Sequence, residues 1–294
     1  MKKIILMLIF FAPQFIVAQG IPNEVKSTVA FIFIKDNSNN LKPNGTGLFV
    51  GIENPKIKDT YSIYLITAKH VLLDSNKKFL KEISIRLNTK DSLSVFLTSK
   101  ISNSGLHKSI FTHEDPTVDI AVIPVNFDEK IIDYKFFTED YLTSKKAYNE
   151  LNIREGTEVF FTGLFTSFMG EKRNYPIVRF GRVALVTNEK IDWEGSKSEM
   201  YLIESSSYGG NSGSPVFFYF GADRGNGVIN IGNPILKLAG VMKGYFGQKT
   251  PIEVINTKAS IAVSVNNIGI AAVTPSYFIR EILESPELKR LRGF

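Results

Sequence analysis

The sequence predicts an all-β fold closed by a single C-terminal α-helix, and three observations carry that prediction. Six short runs of strand-forming residues precede residue 126, several of them alternating apolar and polar side chains. A second set resumes near residue 158. Between successive runs there is no 3.6-residue apolar period, so the pattern reads as a barrel or a sandwich and not as βαβ units.

In chain order, residues 28–34 form the first β-rich run, followed by a polar turn at 37–40. The second is Gly45-Thr46-Gly47-Leu48-Phe49-Val50-Gly51, and the third, residues 61–71, alternates before turning apolar and ends around His70. Residues 82–87 and 94–97 alternate cleanly, whereas 119–125 read as a buried strand. Residues 127–155 are charged and aromatic with no strand period, which marks a connection between two β units. The later half supplies runs at 158–163, 178–186, 200–203, 216–220, 238–247 and 268–273, with a Gly/Asn-rich loop at 221–234. Thr274 then reads as a helix N-cap with Pro275 at the first helical position, and Phe278, Ile279, Ile282 and Leu283 fall at helical spacing. The resulting division is a leader at 1–18, an N-terminal β unit at 19–130, a linker at 131–155, a C-terminal β unit at 156–273 and a helix at 274–285.

The chain has 294 residues, 44% of them hydrophobic and 22% charged, enough to build a core without help. Lys2 and Lys3, an apolar run from Ile4 to Phe11 and a small residue at Ala18 have the form of an export signal cleaved after Ala18. The run is too short, and is followed too soon by Pro13 and Gln14, to span a membrane, so a mature form without a membrane span is expected in the periplasm or outside the cell. Removing the leader takes away two lysines and leaves 33 basic against 29 acidic residues. These charges are scattered without aromatic interleaving, which argues against a nucleic-acid partner. Zero cysteines exclude disulfides, a thiol nucleophile and thiolate metal ligands.

Chemistry concentrates at Tyr208-Gly209-Gly210-Asn211-Ser212-Gly213-Ser214-Pro215, a glycine-rich turn between two strand runs. Glycines beside a serine allow positive φ and close backbone approach, so Ser212 can project its hydroxyl while the amides of Gly210 and Ser212 point at one spot. A serine nucleophile needs a general base, and only His70, His107 and His113 exist. No histidine follows Ser212, and Ser214 breaks a Gly-x-Ser-x-Gly elbow, which excludes an α/β-hydrolase order. An acid ahead of His70, Asp36 or Asp59, would fit a subtilisin order, but the alternating helices of that fold are missing. His107 and His113 sit in a polar loop with Glu114 and Asp115, where solvation is the expected reading and no metal is assigned.

Thr67-Ala68-Lys69-His70, Asp119-Ile120-Ala121-Val122 and Gly210-Asn211-Ser212-Gly213-Ser214-Pro215, in that order, resemble the three catalytic motifs of trypsin-like (chymotrypsin-fold) serine endopeptidases, in particular bacterial glutamyl-endopeptidase-like and Deg-like members. His70 and Asp119 stand 49 residues apart and Asp119 and Ser212 stand 93 apart, which agrees with that family. The resemblance implies two six-stranded antiparallel β-barrels, the first carrying His70 and Asp119 and the second Ser212, with the C-terminal helix packed on the second barrel. It implies a Ser212-His70-Asp119 triad that hydrolyses protein or peptide substrates through an acyl-enzyme, an oxyanion hole from the amides of Gly210 and Ser212, and no cofactor. Asp115 is a rival acid, set aside because it precedes Pro116 in a loop while Asp119 opens an apolar strand.

Ser206 and Ser207 are expected to line the substrate pocket, with residues 241–244 as its other wall and Lys243 as a group that could attract an acidic side chain. Glutamyl-specific members use a histidine on that wall, and this chain has none after position 113. Asn211 stands where zymogen-activated members carry an aspartate, so an oxyanion hole formed without activating cleavage is expected. A β-branched residue at Gly210 is expected to lower turnover with little loss of folding. Deg-like members add a PDZ domain, for which the roughly ten residues after the predicted helix leave no room; a monomer is expected. The alternative is a catalytically inactive chymotrypsin-fold binding module.

Overall fold

The computed structural model of the protein describes residues 20–105, 107–221, 235–252 and 262–293. The leader expected at 1–18 lies outside the described residues, as does nearly all of the Gly/Asn-rich stretch 221–234. A short helix, α1 (Asn23–Ser27), leads into β1 (Val29–Lys35), β2 (Leu41–Glu53), β3 (Tyr61–Thr67), β4 (Glu82–Asn88), β5 (Ser94–Lys100), β6 (Phe111–Thr112) and β7 (Ala121–Val125). With β8 (Phe137–Thr138), which joins β2 in parallel, they form one eight-stranded sheet in the order β5-β4-β1-β2-β3-β7-β6.

The six runs expected before residue 126 are β1–β5 and β7, while β6 and β8 are two residues long and leave no period in the sequence. The first unit therefore differs from a six-stranded barrel. β5 leaves its ladder at Lys100, and the chain folds into a polar loop in which Ser109 Oγ donates to Lys100 O (2.9 Å) and accepts from Ser102 N (2.9 Å). The amides of Ser109 and Ile110, donating to Ser102 O at 2.8 and 3.1 Å, carry the seam toward β6.

The linker stretch holds β8 and one helix, α2 (Lys145–Glu150), whose Ser144 cap accepts from Ala147 N. β9 (Glu158–Gly163), β10 (Ile177–Leu185), the hairpin β11 (Ile191–Trp193) and β12 (Ser196–Ser198), β13 (Tyr201–Glu204), β14 (Pro215–Phe220), β15 (Ile235–Ile252) and β16 (Ala262–Pro275) follow. Six of them close into a barrel, β10-β13-β16-β15-β14-β9. In β9 and β14 the residues alternate between two cores. Val159, Phe161, Val216 and Phe218 fill the barrel, whereas Phe160 and Phe217 turn outward into the core of the first unit. Phe217 there meets Phe137 at 5.0 Å and Phe160 at 5.1 Å between ring centroids. A strand buried on both faces has to be apolar throughout, which explains the unbroken run Val216-Phe217-Phe218.

The C-terminal helix departs from expectation in two ways. Thr274 and Pro275 remain in β16, paired with Val241 and Gly240, so strand pairing overrides the capping signal and α3 (Tyr277–Leu283) begins after Ser276. Its apolar face, including Phe278, Ile279 and Ile282, joins the core of the first unit, and His113 holds Glu281 at 2.8 Å, so the helix bridges the two units instead of resting on the second alone. A further helix, α4 (Pro286–Leu291), follows, with Ser285 as its cap and Pro286 at its start. Among the described residues no helix is long and apolar enough to cross a membrane.

Arg86 of β4 ties the two halves together. It is buried, and its guanidinium donates to Gly170 O and Glu171 O at 2.8 Å each and to Ser94 Oγ at 3.0 Å. Replacing Arg86 with Met leaves two carbonyls without their charged donor. We expect a loss of about 2–4 kcal/mol in chemical denaturation, with proteolytic nicking appearing first in the 164–176 segment.

Candidate active site

The register of β3 against β7 places the first two functional side chains. Thr67 pairs with Ala121 at the end of this ladder. Just beyond it, a one-turn 3-10 helix at Lys69–Leu72 raises His70 opposite Asp119. Asp119 is 7% exposed and its carboxylate is satisfied from both sides, accepting from the His70 backbone amide at 2.9 Å and facing Nδ1 at 2.7 Å. Burial pushes the Asp119 carboxyl upward, but the facing imidazole and these bonds outweigh it and hold the group below the usual carboxylate range. Burial likewise lowers His70, and the charge and hydrogen bond of Asp119 more than offset this, leaving the imidazole above its ordinary value. A carboxylate at Nδ1 keeps the proton there, so Nε2 presents a lone pair on a ring that is 45% accessible.

Asp115 does not compete. Thr117 donates to its carboxylate through both amide (2.8 Å) and hydroxyl (2.7 Å), and Lys190 holds it at 3.1 Å, so it is kept far below the usual range within its own turn. His113 accepts from the Asp115 amide at Nδ1 (3.0 Å) and turns Nε2 to Glu281, while His107 is exposed.

The serine loop is built by amide accounting. Gly210 and Gly213 have φ of 93° and 85°. The amides of Asn211, Gly213 and Ser214 donate to Tyr208 O, Met242 O and Asn211 O at 3.0, 2.9 and 3.0 Å. Those of Gly210 and Ser212 donate to no group among the described residues. Asn211, 1% exposed, closes the loop with a neutral amide: Nδ2 donates to Leu164 O (2.7 Å) and Oδ1 accepts from Tyr208 N (2.9 Å). Gly210 resists substitution more than expected. A Cβ there would lie 2.9 Å from Thr166 Cγ2 on a positive-φ backbone, so a β-branched residue disturbs folding as well as the amide.

Thr46 in β2 fastens this loop to the first unit. Fully buried, it donates its amide to Ser212 O (2.8 Å) and its hydroxyl to Gly210 O (2.9 Å), accepts Leu164 N on that hydroxyl (3.0 Å), and takes the Thr67 hydroxyl on its carbonyl (2.7 Å). The glycines on either side of the contact permit it. A Cβ on Gly213 would stand 2.0 Å from Thr46 O, and one on Gly45 would meet Val71 Cγ1 at 2.7 Å and Ser212 O at 3.1 Å. Ser212 is thereby set beside the turn that carries His70. Among the described residues no hydrogen bond joins Ser212 Oγ to His70.

The three predicted pocket residues have different surroundings. Ser206 opens onto a pocket of ≈ 620 Å³ lined with Glu158, Phe180, Arg182 and Glu204 but not with Ser212, His70 or Lys243. Ser207 is buried at 1% exposure, its carbonyl held by Asn267 Nδ2 at 2.5 Å. Lys243 is buried at 7% exposure beneath Trp193, whose ring centroid lies 5.6 Å from Nζ. Thr46 was missed as a functional residue, although its place between two glycines, Gly45 and Gly47, was the available signal. The β11–β12 hairpin was missed because its strands are three residues each.

A two-unit β architecture with a carboxylate–imidazole pair on one unit and a serine in a glycine-rich amide loop on the other defines the trypsin-like peptidase fold. The family model described as "Trypsin-like peptidase domain" matches residues 45–220, more than half of the chain, and the protein belongs to that family. In fold it is similar to the crystal structure of the MamO protease domain from Magnetospirillum magneticum (apo form), with a TM-score of 0.51 and 14% identity over 89% of this chain and 98% of that one. A comparison with curated proteins finds no match.

Thr46→Val keeps the shape and removes the hydroxyl, leaving Gly210 O and Leu164 N unpartnered. We expect a lower thermal midpoint, by about 3 kcal/mol of stability, and a Thr46→Ser variant that retains most of it.

Proposed function

We propose that the protein is a serine endopeptidase, exported through its leader, that cleaves peptide bonds with Ser212 as nucleophile, His70 as general base and acid, and Asp119 as the group that orients and charges His70. The observation that carries this reading is the buried Asp119 carboxylate holding His70 at both its amide and Nδ1, which leaves Nε2 as the lone pair available to a hydroxyl.

Ser212 Oγ attacks the carbonyl carbon as its proton passes to His70 Nε2, and the carbonyl electron pair moves onto oxygen, which the amides of Gly210 and Ser212 receive. Collapse of this intermediate breaks the C–N bond while His70 returns the proton to the leaving amine. Water then attacks the ester by the same route, and Ser212 is released as the hydroxyl. No cofactor is needed for any of these steps.

Purified mature protein treated with a fluorophosphonate should gain one adduct, mapped to Ser212 and absent from Ser212→Ala and His70→Ala. A well-folded wild type without an adduct would sink the reading and favour a binding module. Asp119→Asn should slow labelling by about 10³–10⁴-fold, since its amide cannot hold the imidazole in the required tautomer. Cleavage after Ala18 is checked by the same intact mass.

Labelling requires neutral His70. Because its folded pKa is raised, the rate should be full at alkaline pH and fall as pH drops through a midpoint above that of an ordinary imidazole. A midpoint at or below the ordinary value would contradict the pairing with Asp119.

A further inference from the structure

One charged side chain beside the Asp119–His70 pair has no part in this mechanism. Lys243 sits on β15 at a break in register, where Met242 pairs with Val273 and Gly244 with the adjacent Ala272, so it is the extra residue of a β-bulge. Bulges re-aim side chains, and this one turns a lysine into the interior. The same backbone touches the serine loop, since Met242 O accepts the amide of Gly213.

Inside, the ammonium donates to Ser198 Oγ at 3.1 Å, and that hydroxyl donates to Thr117 O at 3.2 Å, two residues before Asp119. Trp193 covers it from the hairpin, lying so close to the chain that a Cβ on Gly244 would meet its Cζ2 at 3.0 Å. Among the described residues no carboxylate stands within ion-pair distance of Nζ. Burying an ammonium without a contact carboxylate is costly, and a nearby uncompensated anion is what offsets that cost. Burial holds the Lys243 ammonium below the usual lysine range, Lys69 lowers it further, and Asp119 and Glu194 act against this; the charged groups that act on His70 are Asp119, Lys243 and Glu194.

Resting on the protease reading above, we infer that Lys243 is a positioning residue for this site: its buried charge keeps Asp119 ionised and disfavours a second cation on His70, so that the imidazole is neutral when Ser212 needs a base. Asp119 and Lys243 thus act on His70 with opposite sign. Asp119 raises its proton affinity and orients it, and Lys243 restrains that rise. The acidic edge of the activity range is set by the balance between them. This assigns Lys243 to the machinery behind His70 and not to a substrate pocket.

The test is the pH dependence of fluorophosphonate labelling in wild type, Lys243→Met and Lys243→Arg. Lys243→Met should move the midpoint to higher pH and slow labelling severalfold below the wild-type midpoint, with the alkaline plateau retained. Lys243→Arg, which keeps the charge, should stay near wild type. A Lys243→Met midpoint equal to that of wild type overturns the inference, as does an effect confined to KM for peptides with acidic side chains. Absence of labelling in wild type at every pH defeats the protease reading itself, so the two failures are distinct.

A second measurement requires no neutral variant to fold. In ¹³C-lysine-labelled Ser212→Ala protein, the Lys243 ε-carbon, assigned against Lys243→Arg, should show an inflection at the His70 midpoint, because electrostatic coupling is reciprocal. A featureless Lys243 resonance through that range overturns the inference.

Discussion

The arrangement depends on one fully buried threonine whose every polar atom is engaged. Ser212 and His70 stand on different β units, and Thr46 fastens those units by taking its place in both. Its strand belongs to the first unit, yet its amide and hydroxyl meet Ser212 O, Gly210 O and Leu164 N of the second. These groups are buried, and each would be left unsatisfied if the loop moved by an ångström, at a cost of about 1–3 kcal/mol apiece. The bonds are therefore mutually enforcing. The absence of side chains at Gly45 and Gly213 permits the approach, and the hydrogen bonds exploit it.

The rigidity needed on either side comes from strands that serve two cores at once. β9 and β14 send alternate phenylalanines into the barrel and into the first unit, so the interface is continuous with both interiors. A sliding motion between the units would have to unpack Phe160 and Phe217 together. Arg86 binds the 170–171 backbone from the first unit, and α3 lies across both units with its apolar face in the first core. The functional side chains themselves stand just past the ends of paired strands. His70 lies three residues after Thr67 and Asp119 two residues before Ala121, so the ladder that ends in the Thr67–Ala121 pair sets their separation while the turn sets their orientation.

Much of this was legible in sequence, for reasons that differ by residue. The main strands of both units announce themselves because alternation and apolar runs are long enough to show a period, and the motifs around His70, Asp119 and Ser212 combine residue types whose chemistry is restrictive. Thr274-Pro275 gave a sound local signal for a helix start that strand pairing then overrode. The β11–β12 hairpin is too short to leave a pattern, and without it the cover over Lys243 was invisible. Lysine is commonly exposed, so nothing in Val241-Met242-Lys243-Gly244 indicates burial. It takes the bulge, Trp193 and Ser198 to turn that side chain inward.

The charges around the site are distributed by side. The charged groups that act on His70 are Asp119, which is buried, Lys243 and Glu194, and Lys69 acts on Lys243. On the serine side the hydrogen bonds that hold the loop come from neutral groups, the Asn211 amide, the Thr46 hydroxyl and backbone carbonyls, while the Arg179 guanidinium lies over the Tyr208 ring at 4.8 Å. At 211 a neutral amide satisfies Leu164 O as donor and Tyr208 N as acceptor, and an aspartate there could not donate to Leu164 O. In the proposed mechanism, an oxyanion forming before Gly210 and Ser212 would be met by fixed amide dipoles. Two oriented dipoles require no reorganisation as charge appears, whereas a mobile counter-ion would. The loop gains its shape from hydrogen bonds between neutral groups, and the pH dependence of the site is left to the pair on the opposite side.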